Sequence, residues 1–228
     1  MSMSRILIIT GGEVNITSSL QYTRQKKYYK IIAVDGGLKA VYEMGITPDI
    51  IIGDFDSVKT ELLAEYEKKD CQLVRLNPVK DETDTEAAYL SALELGATEI
   101  DIRGGTGSRF DHTYANMFLL KRGIKDGIKV YIITKHCRIS AITGDLRLCR
   151  DHMYGKYISL IQFDGSAKGV TLKGFVYNLE NFDFDTDKTY RLGVSNELSD
   201  REAYIHIEEG CMLLIETKED KIEGDTTA

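Results

Sequence analysis

Tryptophan is absent from this sequence, proline occurs twice, and cysteine and histidine occur four times each. The cysteines (Cys71, Cys137, Cys149 and Cys211) lie far apart, with no CxxC pair. That spacing argues against a zinc ribbon or a dithiol redox motif and reads as free thiols in a reducing cytosol. The histidines are equally dispersed, which argues against a zinc centre. No apolar run approaches the roughly 20 residues that span a bilayer. The opening MSMSRILIIT lacks the layout of a signal peptide, and its apolar residues read as a first strand. A cytoplasmic protein with no membrane partner is expected. Basic excess is missing too: 29 Lys and Arg stand against 36 Asp and Glu, a net charge of -7. Broad binding to nucleic acid needs a basic surface and is not expected. A nucleotide brought in with a metal ion is not excluded.

What is present is ordinary globular material: 228 residues, 43% hydrophobic and 29% charged, enough for one large domain or two small ones. The first half alternates. RILIIT, IIAVD, DIIIG, CQLVRL, TEIDIR and KVYIIT read as strands, with helical stretches such as LKAVYEMG, VKTELLAEYEKK, TEAAYLSALELG and HTYANMFLLKRG between them. Such alternation predicts a parallel, Rossmann-like α/β sheet covered on both faces. After about Thr134 the pattern changes to short strand candidates: CRISAIT, LRLC, YISLIQF, GVTLKGF, TYRLGV, AYIHIE and MLLIET. The turn signals TGD, FDGS and EEG separate them, and this half predicts an antiparallel β-sandwich or barrel. The expected domains are 1–135 and 136–228.

Unusual residues gather after the predicted strands of the first half. Asp35-Gly-Gly follows the second, Gly53-Asp-Phe-Asp-Ser the third, Lys80-Asp-Glu-Thr-Asp-Thr-Glu the fourth, and Gly104-Gly-Thr-Gly-Ser-Arg-Phe-Asp-His the fifth. In a parallel sheet those ends share one edge, where open α/β folds bind ligands. Part of this is helix capping: Thr83 and Glu86 fit a capping box, and Ser57, Asp35 and Asp111 each precede a helix. Capping does not account for Asp54, Asp56, Asp81 and Asp84 together, because four carboxylates on one edge repel. A strand running on through Asp54 and Asp56 would point both to one side. Carboxylates without His or Cys favour a hard ion such as Mg²⁺. The glycines at 104, 105 and 107 let backbone amides approach an anion, and Arg109 can grip phosphate in a bidentate way. His112 is open between a phosphate or base contact and a structural place on the helix. The loop is neither a Walker A motif nor GxGxxG.

DGG, PDIIIGDFDS, KDETDTE and GGTGSRFDHTYAN, in this order, resemble thiamine pyrophosphokinases, and RLGVSNEL resembles that family's Ser-Asn segment. The resemblance implies an enzyme that moves the β,γ-pyrophosphoryl group of ATP to the hydroxyethyl oxygen of thiamine, giving thiamine diphosphate and AMP. It implies Mg²⁺ at Asp54, Asp56 and Asp84. It implies ATP held by Asp35, Gly104, Gly105, Gly107, Ser108, Arg109 and His112. Asp35, Asp81, Thr83 and Asp111 would line the junction of nucleotide and thiamine. Ser195 and Asn196 would meet the thiamine pyrimidine, from the other subunit of a homodimer whose β-rich domain binds thiamine and pairs the subunits. Catalysis would rest on Asp81, Asp84 and Arg109. Asp81 is the preferred base, since a metal-bound carboxylate accepts a proton less readily. Two departures stand out: Ser108 replaces a frequent glycine, and no tryptophan is available against the thiamine rings, leaving Tyr190, Tyr204 or a partner-chain aromatic. Alternatives at this stage are a pyrophosphokinase for a pterin alcohol and a module that senses nucleotide or thiamine diphosphate without turnover.

Overall fold

The computed structural model describes residues 4–56, 58, 60–77, 82–185, 187 and 192–219. The chain forms two compact units, Met1–Lys135 and His136–Ala228. In the first, six strands and five helices alternate: β1 (Arg5–Ile9), α1 (Ile16–Gln25), β2 (Lys30–Val34), α2 (Gly37–Glu43), β3 (Ile50–Gly53), α3 (Thr60–Glu67), β4 (Gln72–Arg75), α4 (Asp84–Glu94), β5 (Glu99–Arg103), α5 (Phe110–Asp126) and β6 (Lys129–Ile133). The strands are all parallel, in the order β6-β5-β1-β2-β3-β4. Ile6, Leu7, Ile8 and Ile9 are all fully buried, as a strand covered on both faces requires. Leu7 and Ile9 pack with Ala33, Ile51, Leu38, Val41 and Tyr66. At the sheet margin, β4 is flanked by exposed Gln72 and Arg75, polar ends that discourage further pairing.

One row of this sheet is polar. Glu99, Asp101 and Arg103 alternate along β5 and are all buried. Arg5 meets Glu99 at 2.6 Å, the Tyr28 hydroxyl donates to Asp101 at 2.5 Å, and Arg103 donates to the Thr134 carbonyl at 3.2 Å. Burial pushes the Asp101 carboxyl up to about 6, against the lowering effect of the Tyr28 bond. The helix expected to stop at Gly123 runs on to Asp126 and closes at Gly127, whose φ is 72°.

The second unit is antiparallel: β7 (Cys137–Cys149), β8 (Tyr157–Gln162), β9 (Ala167–Lys173), β10 (Leu179–Phe184), β11 (Gly193–Glu197) and β12 (Glu202–Thr217). The segments read from sequence as CRISAIT and LRLC form one strand, β7. AYIHIE and MLLIET form another, β12. TGD and EEG therefore lie inside strands, not between them. The two long strands pair along their length, with a register shift between Ile207 and Met212. On one side of that shift β12 also pairs with β9, on the other with β8. A long ribbon that bends at a bulge thus serves two layers, a common way to turn a sandwich corner. Its core includes Leu160, Val170, Leu172, Phe175, Phe184, Ile205 and Met212. β10 was not foreseen; of TYRLGV, residues 189–191 lie outside the described residues, and the described strand runs from Gly193 to Glu197. Among the described residues, no helix is long and apolar enough to cross a membrane.

Candidate active site

The first unit carries a cleft of about 1330 Å³ at the C-terminal ends of its strands, lined by residues that follow β1, β2, β3 and β5 and by the start of α4. A drug-sized pocket is typically about 300–1,000 Å³, so this cleft is larger than one small ligand needs.

Two turns on its floor interlock. The Thr10 amide donates to the Arg103 carbonyl at 2.8 Å, Gly12 to Gly104 at 3.0 Å and Glu13 to Thr106 at 2.6 Å. These bonds continue the β1–β5 ladder beyond the strands, so the 104–109 glycine turn is held by the turn after β1. The approach is close enough that a Cβ on Gly12 would stand 2.1 Å from the Gly104 oxygen. On the other flank, Thr113 accepts the Gly107 amide at 3.2 Å, and buried Asn116 donates to the Gly105 carbonyl at 2.9 Å. The Thr10-Gly-Gly-Glu turn, Thr113 and Asn116 had no place among the sequence candidates. The first obeys the same end-of-strand rule as the others and could have been found by it.

The acidic side is built by two strained residues. Asp35 and Phe55 have φ of 43° and 65°, positions that non-glycine residues avoid. The strand ends at Gly53, so Asp54 and Asp56 do not share a strand face as expected. The left-handed Phe55 turns the chain between them, and the Asp56 amide donates to Asp54 Oδ1 at 3.1 Å. Phe55 is anchored in the core and lies 5.0 Å under the Arg75 guanidinium. A glycine at 53 permits the approach of Asp35, whose Cβ would be 3.2 Å from a side chain there. The result is that Asp35, Asp54 and Asp56 each offer a carboxylate oxygen within 4.8 Å of the others. Three oxygens so placed, without nitrogen or sulfur, suit a hard divalent cation. Asp84 opens α4 and lines the cleft, but it is not one of that trio.

Thr83 caps α4: it accepts the Glu86 amide at 3.2 Å while Glu86 accepts the Thr83 amide at 2.8 Å, the full capping box. Asp35 and Asp111 are not caps. Gly36 and Arg109 hold the N-cap positions of α2 and α5. Asp111 instead sits in the first turn of α5 and takes Arg109 Nη2 at 2.5 Å and Nε at 3.0 Å. The Arg109 bond holds the Asp111 carboxyl down at about 2. Arg109, Ser108 and His112 line the cleft, and His112 Nε2 is 3.9 Å from Asp111 Oδ2. Asp81, Ser57 and Tyr190 lie outside the described residues. In the second unit Ser195 and Asn196 occupy β11 with opposite orientations. Ser195 is exposed and Asn196 is buried. The Asn196 amide accepts from the Tyr177 amide at 3.0 Å and donates to the Tyr177 carbonyl at 2.7 Å.

Residues 21–132 match the family model for the thiamin pyrophosphokinase catalytic domain, and 145–212 match that for the thiamin pyrophosphokinase vitamin B1 binding domain. Thiamine pyrophosphokinase of Bacillus subtilis is 34% identical over 215 residues, covering 93% of this chain and 98% of the relative. The crystal structure of that enzyme superposes with a TM-score of 0.82 at 30% identity, covering 95% of this chain and 100% of its own. Thiamin pyrophosphokinase from Geobacillus thermodenitrificans gives 0.81 at 26%, covering 95% and 99%. By both of its units, the chain belongs to the thiamine pyrophosphokinase family.

Proposed function

We propose that this protein transfers the β,γ-pyrophosphoryl group of ATP to the hydroxyethyl oxygen of thiamine, releasing thiamine diphosphate and AMP. The observation that carries this reading is one cleft with Asp35 and Asp54 of the carboxylate trio on one wall and an interlocked glycine turn with Arg109 on its floor. The new bond joins the thiamine oxygen to Pβ. The bond from Pβ to the oxygen bridging to Pα breaks, and AMP leaves with that oxygen.

Asp35, Asp54 and Asp56 would hold Mg²⁺, with Asp84 facing the same phosphates from α4; Mg²⁺ bound there neutralises phosphate charge. The backbone of Gly104, Gly105, Gly107 and Ser108 would follow the phosphate chain, with His112 beside it. Arg109 would exchange its bond to Asp111 for a phosphoryl oxygen, a bidentate contact that favours the transferring group. Asp81 or Asp84 would take the alcohol proton, a step that asks for position more than strength. The acidic wall favours the permanent cation of the thiazolium ring, and Thr83 and Asp111 would stand near it. The second unit would bind thiamine and form a homodimer, with Ser195 as the pyrimidine contact and Asn196 behind it. All four cysteines are thiols, which suits a cytoplasmic enzyme.

The test is incubation with ATP, Mg²⁺ and thiamine while AMP and thiamine diphosphate are measured together. Equal amounts of both, absent without thiamine, are expected. ADP with thiamine monophosphate would overturn the transfer chemistry. Saturable ligand binding without product would favour a sensor, and product only with a pterin alcohol would replace the acceptor.

A further inference from the structure

We propose that the buried Thr10–Thr85 hydroxyl pair is a positioning element of this reaction, holding the Asp84 end of α4 in register with the interlocked turns. The inference rests on the transfer reading above and concerns two threonines that line the same cleft and act here through α4, not on the reacting atoms.

Thr10 is the last residue before the Gly11-Gly12 turn, and Thr85 is the second residue of α4. They are 8% and 7% exposed, and their hydroxyl oxygens stand 3.0 Å apart across 75 residues of chain. Valine has the same shape and would fill either place. A buried hydroxyl costs free energy unless it is bonded, so packing alone does not account for threonine at both positions.

What the bond connects is specific. The capping box of Thr83 and Glu86 is internal to α4. It defines where the helix starts, not where that start sits along the sheet. The Thr10–Thr85 bond ties this first turn to the end of β1. Thr10 is also the residue whose amide begins the bonds to the 103–106 segment, at 2.8 Å to Arg103. One threonine thus faces two ways: its backbone holds the glycine turn, and its side chain holds α4. Asp84 is adjacent to Thr85, so the separation between that carboxylate and the glycine turn is set through this pair.

The experiment compares Thr85→Val, Thr10→Val, the double variant and Thr85→Ser by steady-state kinetics, thermal unfolding and calorimetric titration with MgATP. Thr85→Val is expected to lower kcat about 10- to 100-fold, the usual effect of sub-ångström to ångström misplacement. The KM for thiamine should stay within about two-fold, since this interaction is felt in the transition state. Thr85→Ser keeps the hydroxyl and should restore kcat to within about three-fold. The double variant should be no worse than either single one, because the two hydroxyls act as a unit. A kcat for Thr85→Val within two-fold of the parent overturns the proposal, as does a loss that only follows the unfolded fraction and is not rescued by serine. Should the parent itself make no thiamine diphosphate, the transfer reading has failed. The pair is then judged by titration: MgATP affinity weakened about ten-fold by valine and restored by serine upholds it, and unchanged affinity overturns it.

Discussion

Replacing Gly12 by alanine tests whether the interlocked turns form the phosphate floor. The added Cβ would lie 2.1 Å from the Gly104 oxygen and 2.3 Å from the Thr106 oxygen. Ordinary carbon–oxygen contact is about 3.3 Å, so both carbonyls must retreat by roughly 1 Å. Those carbonyls accept the Gly12 and Glu13 amides at 3.0 and 2.6 Å, so the retreat removes two of the three bonds joining the turns. Overpacking of this kind costs about 1–3 kcal/mol, which lowers the melting midpoint by roughly 2–12 °C in a chain of this size. A displacement of roughly 1 Å in a group that positions substrate costs about 100-fold in rate. Coupled measurement of AMP and thiamine diphosphate should therefore show kcat/KM for ATP down by about two orders of magnitude. Gly45→Ala is the control. Gly45 has φ of +65° with nothing within 4 Å of a built Cβ, so alanine there strains the backbone alone and should lower stability by about 1 kcal/mol without changing kcat. Gly12→Ala with kcat and the ATP KM both within two-fold of the parent would refute the idea that this turn places the phosphates.

Asp54→Asn and Asp56→Asn should each raise the Mg²⁺ concentration for half-maximal turnover by about ten-fold or more; a metal titration unchanged by either variant would remove them from the ion site. Asn196→Ala should destabilise the second unit by about 1–3 kcal/mol, because it strands the Tyr177 backbone, while Ser195→Ala should leave the melting midpoint alone and raise the thiamine KM. Asp111 is held near 2 by Arg109, below the unfolded value of about 3.9. The stabilisation it gains is present above that unfolded value and is lost only as pH falls through about 2. Asp111→Asn should therefore not move the acid limb of a rate profile taken between pH 5 and 9. Asp101 has the opposite sign. Its folded value of about 6 exceeds the unfolded one, so the native state binds more protons between about pH 4 and 6 and stability falls as pH rises through that window. Asp101→Asn should gain about 2 kcal/mol relative to the parent between pH 4.5 and 7.5, read as a widening gap in melting midpoints.

The parallel half was legible because its signals are redundant. Ile6 to Ile9 form a continuous apolar run ended by Thr10-Gly-Gly, and a fully buried strand admits few other readings. The antiparallel half was less so. Gly144 and Gly210 have φ of 64° and 95°, and from sequence such glycines look like turns. In β7 and β12 they lie where the ribbon bends, and cross-strand bonds on either side carry the strands through. β10 was overlooked because its LENFDF alternation is interrupted by Asn181 with φ of 48°. At the site, the end-of-strand rule brought out Asp35, Asp54, Asp56 and the 104–109 turn. It could not show that Asp35 joins Asp54 and Asp56 in one carboxylate trio. That grouping depends on backbone conformation at Asp35 and Phe55, residues whose types do not announce a positive φ. Thr85 and Asn116 were invisible for another reason: their partners, Thr10 and Gly105, are distant or on the main chain.

The position of β1 between β2 and β5 has a consequence for how the protein is made. A growing chain can pair β1 with β2, then add β3 and β4, with each new strand joining the last. The other edge of β1 stays open until β5 emerges, some 90 residues after β1 has left the exit tunnel. Only then can the Thr10, Gly12 and Glu13 amides find their acceptors. The interlocked turns are therefore among the last parts of the first unit to close, and if they are the phosphate floor proposed above, a chain that binds MgATP has already completed its longest-range strand pairing.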